Sequence, residues 1–285
     1  MEAERIGGRT MLRITTLIEN SAGEHLALRH EHGLSFFVEK DGRAIVFDTG
    51  QSGAFIGNAA RLNIDLSAPD YVVLSHGHYD HSGGLKSLAD VSGTFGLIVG
   101  QGFFREKYGF RNGAQQFLGN DFDEAFLKAK RIGYSFAPEG ASEILPGVFV
   151  VSGFPRVHDD ERINPRFTLR TPDGFEPDAF GDEILLAVAT PRGLVVLLGC
   201  SHPGLKNMLD AVRERIGLPI HAVLGGTHLV ESNEASIDKT IRYLGESGIE
   251  RIGVSHCTGD SAMSRLKVAN ANFFHNVTGN SFFIE

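Results

Sequence analysis

His76-Gly77-His78-Tyr79-Asp80-His81 sets four metal-ligand side chains into six consecutive positions. Three imidazoles and a carboxylate this close together would be costly to desolvate unless a cation held them. Imidazole nitrogen and carboxylate oxygen suit zinc, iron or manganese. His76 and His78 are two apart, which in extended backbone puts both rings on one side. Asp80 and His81 follow round a turn and can face a second position, so the spacing offers two ligand groups. Before the motif, Tyr71-Val72-Val73-Leu74-Ser75 is a short apolar run rich in β-branched residues, the pattern of a buried strand. After it come Ser82-Gly83-Gly84 and then Leu85-Lys86-Ser87-Leu88, where a helical pattern begins. The ligands therefore sit in a loop leaving the carboxyl end of a strand, where α/β proteins place their chemistry.

Other strand ends repeat this arrangement. Ala44-Ile45-Val46-Phe47-Asp48-Thr49-Gly50 is an apolar strand ending in an acid and a turn. Asp48 can accept a hydrogen bond from a ligand imidazole and fix its tautomer; its alternative reading is an ordinary turn aspartate. Gly193-Leu194-Val195-Val196-Leu197-Leu198 leads to Cys200, Ser201 and His202. His221-Ala222-Val223-Leu224 leads to Gly225-Gly226-Thr227-His228, and Ile252-Gly253-Val254 to Ser255-His256-Cys257-Thr258-Gly259. A lone histidine is usually a satisfied or surface residue. Three repeats of strand, small residue and histidine reverse that preference. His25, His30, His32, His158 and His275 lack the setting and are set aside.

Asp48-Thr49-Gly50 followed by Ser75-His76-Gly77-His78-Tyr79-Asp80-His81-Ser82-Gly83-Gly84 resembles the metallo-β-lactamase superfamily. That resemblance implies an α/β (α+β) fold, a four-layer αββα sandwich with a one- or two-metal site along one edge of its sheets. Thr16-Leu17-Ile18-Glu19-Asn20 and the segments around Cys200, His228 and His256 resemble the dihydropteroate-synthase-like branch. That branch includes metallo-hydrolases similar to dihydropterin ribofuranosylaminobenzene phosphate synthase. The similarity runs from about Leu12 to the C-terminus. It implies His76, His78 and His202 around one metal, and Asp80, His81 and His256 around a second. The ions would be zinc, one or two of them, with iron or manganese as alternatives.

The superfamily pattern also expects a bridging aspartate, and none stands there. In one register Cys200 takes that position and its thiolate bridges or binds the second metal; its other reading is a small buried residue. In the other register Gly226 takes it, with His228 nearby. His228 is then either a ligand or a proton donor facing the substrate, whereas Cys257 reads as buried. The implied chemistry is metal-assisted hydrolysis of an ester, lactone or phosphoester in a small anionic or ring-containing substrate. A metal-bound hydroxide would be the nucleophile, Asp80 would ligate and orient it, and His228 would donate to the leaving group. The alternatives are a pterin-related synthase or transferase with a metal-stabilised intermediate, and a metal- or ligand-binding member without chemistry.

The remaining sequence bounds the class. A chain of 285 residues with 42% hydrophobic composition can bury a full core. Residues 1–10 read as a disordered extension, and 11–285 as one domain with segments inserted near 102–136 and 155–180. The first insert carries Phe103, Phe104, Tyr108, Phe110, Phe117, Phe122 and Phe126. These aromatics read as core, or as a platform for a flat ring. Arg105, Lys107 and Arg111 are candidates to bind an anion there. The second insert includes a loop of mixed charge over 156–170, read equally as solvated surface or as substrate contact. Two cysteines make no disulfide framework. With no signal-peptide pattern and no membrane-length apolar run, the expected compartment is the cytoplasm, away from membranes. A net charge of −8 without a basic stripe argues against nucleic acid and leaves a small-molecule substrate. A homo-oligomer is compatible with the sequence and not readable from it.

Overall fold

The computed structural model describes residues 11–285, so the extension expected at 1–10 lies outside the described residues. In chain order the first strands are β1 (Leu12–Ile18), β2 (Ser35–Lys40), β3 (Arg43–Phe47), β4 (Tyr71–Val73) and β5 (Gly96–Val99). Next come β6 (Lys107–Arg111), β7 (Ala114–Phe117), β8 (Tyr134–Phe136), β9 (Gly140–Leu145), β10 (Val148–Ser152), β11 (Phe167–Thr171) and β12 (Gly174–Pro177). The last are β13 (Ile184–Thr190), β14 (Gly193–Leu198), β15 (Ile220–Gly226), β16 (Arg251–Ser255) and β17 (Ser281–Ile284). Helices α1 (Ala54–Arg61), α2 (Tyr79–Ser82), α3 (Leu85–Val91) and α4 (Glu124–Lys130) belong to the first half. Helices α5 (Leu205–Ile216), α6 (Glu234–Glu246) and α7 (Asp260–Ala269) belong to the second.

Two large sheets stack face to face. One has the order β17-β1-β2-β3-β4-β5-β8, the other β16-β15-β14-β13-β10-β9. Alternation along single strands explains the layering. Val73 points between the sheets, whereas Val72 and Leu74 pack outward with Phe55, Leu85 and Leu88 of α1 and α3. In β14, Val195 and Leu197 face inward, and Leu194, Val196 and Leu198 face α5 with its Leu205, Met208 and Leu209. A strand buried on both faces reads as a continuous apolar run, as β14 does. The result is helix, sheet, sheet, helix: the αββα sandwich.

The strands that carry the motifs are parallel to one another. β3, β4, β5 and β8 run parallel, as do β14, β15 and β16. Their carboxyl ends emerge along one edge of the sandwich and deliver Asp48, His76, Cys200, His228 and His256 there. The two inserted segments meet each other. β6 and β7 pair with β11 and β12 in a four-stranded antiparallel sheet of order β12-β11-β6-β7, with Phe167 opposite Gly109 and Leu169 opposite Lys107. Among the described residues no helix is long and apolar enough to cross a membrane.

Candidate metal centre and its cleft

Asp48 is fully buried and accepts hydrogen bonds from the Ser75 amide (2.7 Å), the Ser75 hydroxyl (2.7 Å) and His81 Nδ1 (2.6 Å). Holding Nδ1 turns His81 Nε2 inward, 3.2 Å from both Cys200 Sγ and His256 Nε2. His256 is oriented in the same manner: its Nδ1 lies 2.9 Å from Asn20 Oδ1, and its amide donates to the buried Glu19 at 2.7 Å. Asp80 Oδ2 completes this group, 3.3 Å from His256 Nε2 and 3.8 Å from His81 Nε2.

The neighbouring group begins with His76, whose Nδ1 is 3.0 Å from the Ser75 hydroxyl and whose Nε2 is 3.0 Å from His78 Nδ1. The His202 ring centroid lies 5.0 Å from that of His76 and 5.1 Å from that of His78. His202 Nε2 is buried without any hydrogen-bond partner. Donor atoms of His76, Cys200 and His202 lie within 4.8 Å of one another, and so do those of His81, Cys200 and His256. Cys200 belongs to both sets. At Gly226 a Cβ would fall 2.5 Å from the Gly199 carbonyl oxygen and 2.6 Å from Cys257 Sγ, so no larger residue fits there. An orphaned imidazole nitrogen, neutral rings and a shared thiol fit one or two divalent ions.

Electrostatics divide that donor set into rings held neutral and one imidazole, His81, that a bound cation would have to deprotonate. Burial pushes His76, His78 and His202 well below the usual histidine range, which leaves neutral rings with lone pairs to give. Burial opposes the charged form of His81, but Asp48 and Asp80 outweigh it and push His81 up to about 9. Burial brings His256 down to about 4. Burial would raise Asp80, yet His81, His256 and His32 together hold it well below the carboxylate range. Burial and the adjacent Cys257 push the Cys200 thiol up. A cation between these groups would reverse the order for the thiol, since coordination favours the thiolate.

Five non-glycine residues around the centre take left-handed backbone: Asp48 (φ 58°), Phe180 (51°), Ser201 (63°), His228 (50°) and His256 (56°). Such conformations cost on the order of 1–3 kcal/mol each and gather where a side chain must be aimed. His228 falls outside the two convergent groups. Its ring lies 4.2 Å from that of His202, its Nδ1 3.8 Å from Glu231, and it lines the cleft above the centre. Cys257 is buried and accepts from the His228 amide at 3.3 Å.

Several residues at the centre were not singled out from the sequence. His32, set aside there, sits 3.2 Å from Asp80 Oδ2 and stacks on His256 at 5.2 Å. Glu183 is buried and accepts from the amides of Ser201 and His202, at 2.5 and 2.9 Å. Asp182 accepts from the Gly77 amide at 2.9 Å. Glu19 and Asn20 end the apolar strand β1 as Asp48 ends β3, and that pattern was a usable signal. Nothing local marks His32, Asp182 or Glu183.

Two of the three expected anion binders are engaged elsewhere. Arg105 pairs with Glu176 at 2.5 Å, and Lys107 is buried between Asp178 (2.6 Å) and Asp182 (2.9 Å). Arg111 lines the cleft. The expected aromatic platform is also displaced. Phe103 and Phe122 are core, and the ring packed beside His78, His202 and His228 is Phe167 of β11, with Phe180 stacked on His202 at 3.7 Å. The cleft has a volume of about 490 Å³.

Residues 28–185 match the model of the metallo-β-lactamase superfamily. Over 272 residues the chain is 30% identical to 7,8-dihydropterin-6-methyl-4-(β-D-ribofuranosyl)-aminobenzene-5'-phosphate synthase of Methanocaldococcus jannaschii, covering 90% of this chain and 91% of that protein. An uncharacterized protein of the same organism is 28% identical, with 93% and 98% covered. A crystal structure of a metal-dependent hydrolase of the β-lactamase superfamily superposes with a TM-score of 0.84 at 31% identity, covering 96% of this chain and 99% of that one. The sandwich, the motif at the end of β4 and these similarities agree, and the chain belongs to the metallo-β-lactamase superfamily.

Proposed function

We propose that this protein is a metal-dependent hydrolase of a small substrate, acting on an ester, lactone or phosphoester bond. The observation that carries the reading is the meeting of two buried donor sets at Cys200, on the floor of an open cleft. His76, His78, His202 and Cys200 would hold one ion; Asp80, His81, His256 and Cys200 would hold the second. Zinc fits this nitrogen and sulfur set best, with iron or manganese as alternatives. When bound, the ions supply Lewis-acid polarisation of the scissile group and acidify water at neutral pH.

The chain's own residues do the rest. Asp48 and Asn20 lock the tautomers of His81 and His256, so that each presents Nε2 to the centre. Asp80 offers a carboxylate oxygen that can orient an attacking water. His228, neutral and facing the cleft beside His202, is placed to donate a hydrogen bond from its ring N–H to the leaving group or the developing oxyanion. Phe167 and Phe180 exclude water from one side of the imidazole cluster. Two free cysteines and a net charge of −8 suit a reducing cytoplasm and a small-molecule partner.

The test is metal content by plasma mass spectrometry on protein purified without chelator or nickel, with His78→Ala and His256→Ala alongside. Two equivalents per chain, with each substitution removing at least one ion and abolishing turnover of aryl esters, lactones or phosphoesters, is the expected result. Unchanged turnover in both variants would end the proposal.

A second reading, a pterin-related synthase or transferase, is favoured by the name of the M. jannaschii relative. Solvent oxygen-18 separates the two: label enters the product of hydrolysis and is absent from the product of transfer.

A further inference from the structure

The small inserted sheet presents one face to the metal centre and the other to solvent. In β6, alternation places Lys107, Gly109 and Arg111 on one face. Lys107 is buried beneath the centre, and Gly109 and Arg111 line the cleft. Opposite Gly109 stand Phe167 of β11 and Gln116 of β7, which line it too. Arg166 precedes Phe167 and lays its guanidinium over that ring, 4.0 Å from the centroid. Gly109 makes room for it: a Cβ there would fall 3.1 Å from Arg166 Nη1 and 2.8 Å from Leu118 Cδ1.

Two arginines therefore line the cleft, and Arg166 stands one ring's width from the donors, since Phe167 lies 5.6 Å from His78 and 5.1 Å from His202. Arg166 uses Nε to bind Glu231 at 2.6 Å, so its two terminal nitrogens face outward from that bond. Arg111 is exposed, and its guanidinium takes no ion-pair partner among the described residues. The carboxylates of the cleft are Asp80, Glu231 and Asp260. Asp80 belongs to the donor set, Glu231 to Arg166, and Asp260 stands across the cleft on α7, so the free charge that the inserted sheet turns to the cleft is that of Arg111.

We infer that Arg111 and Arg166 bind a phosphate group carried by the substrate away from the bond that is broken. This rests on reading the cleft as the substrate site. Guanidinium forks match phosphate oxygens in pairs, and Arg166 is preorganised by its stacking on Phe167 and its bond to Glu231. A neutral substrate would leave the Arg111 charge and the terminal nitrogens of Arg166 unused beside the opening. The inferred class is a small phosphorylated molecule whose phosphate is held by the inserted sheet while its reacting group reaches the centre.

The test is calorimetric binding of phenylphosphonate, which offers the dianion without a hydrolysable ester. It is run on metal-loaded protein and on protein stripped with dipicolinate, for the wild type, Arg111→Gln, Arg166→Gln and the double variant. Thermal melts confirm folding, and Arg166→Lys keeps the charge opposite Glu231 should Arg166→Gln prove unstable. Each single substitution is expected to weaken binding about tenfold and the double about a hundredfold, with the arginine-dependent part surviving removal of metal. Binding that disappears with the metal and is unchanged in the double variant would assign the anion to the ions and overturn the inference, leaving the hydrolase reading intact. No binding to the wild type at millimolar ligand would also overturn it. Protein that takes up no metal, yet loses phenylphosphonate in the double variant, would keep the anion subsite and remove the hydrolase reading.

Discussion

An imidazole coordinates only through a nitrogen free of its proton, so the residues that hold the other nitrogen govern the centre as much as the ligands do. Asp48 has that part for His81. Asp48→Asn keeps the shape but replaces an acceptor oxygen with an amide, and we expect metal affinity to fall by about 10- to 100-fold in competition with a chromophoric chelator. Affinity within twofold of the wild type would show that His81 does not depend on this contact. Glu183 acts one step further back, gripping the amides of Ser201 and His202 from below. Glu183→Ala orphans both buried N–H groups and is expected to cost about 2–4 kcal/mol in urea unfolding. A loss under about 1 kcal/mol would mean that water replaces the carboxylate. The motif His76 to His81 is legible from sequence because its spacing is local. His32 is not, because its approach to Asp80 depends on how the loop between β1 and β2 folds over α2.

At the scale of elements, the inserted strands are tied to the centre by one buried cation. Lys107 of β6 bonds Asp178 and Asp182, both nearly inaccessible, and Asp182 in turn holds the Gly77 amide between His76 and His78. Replacing one partner of a buried ion cluster strands the others, which typically costs about 3–5 kcal/mol. Lys107→Met should lose that much stability by urea denaturation, and Lys107→Met with Asp178→Leu should recover part of it. Full stability in the single variant would refute the strapping role. The sequence marked the two segments as insertions between the halves of the sandwich. Their pairing into one sheet could not be read from it, because Phe167 and Gly109 meet through a register set by neither segment alone. The same uncertainty misassigned Lys107, which looks like a free cation in a polar stretch and is the most buried charge of its strand.

For the molecule as a whole, the centre joins residues from both sheets, so occupancy should bear on global stability. Ligands that bind only the folded state stabilise it by mass action, about 4 kcal/mol at a free concentration a thousand times Kd. Removing the ions should lower Tm by on the order of 10 °C in scanning calorimetry, and zinc should restore it. A melting curve indifferent to chelation would mean that the sandwich holds the donors apart without the ions. What the sequence determined by itself is the class of fold and the strand ends at which most of the clustered imidazoles stand. Strands buried on both faces must be continuous apolar runs, and the residues after such runs lie at one edge wherever the strands are parallel. What the tertiary structure alone decided is which donors share a position. His81 and His256 are 175 residues apart, and Glu19 holds His256 across 237. Only the order of strands within the two sheets brings these ends together and sets Cys200, at the end of β14, among the donors of both groups.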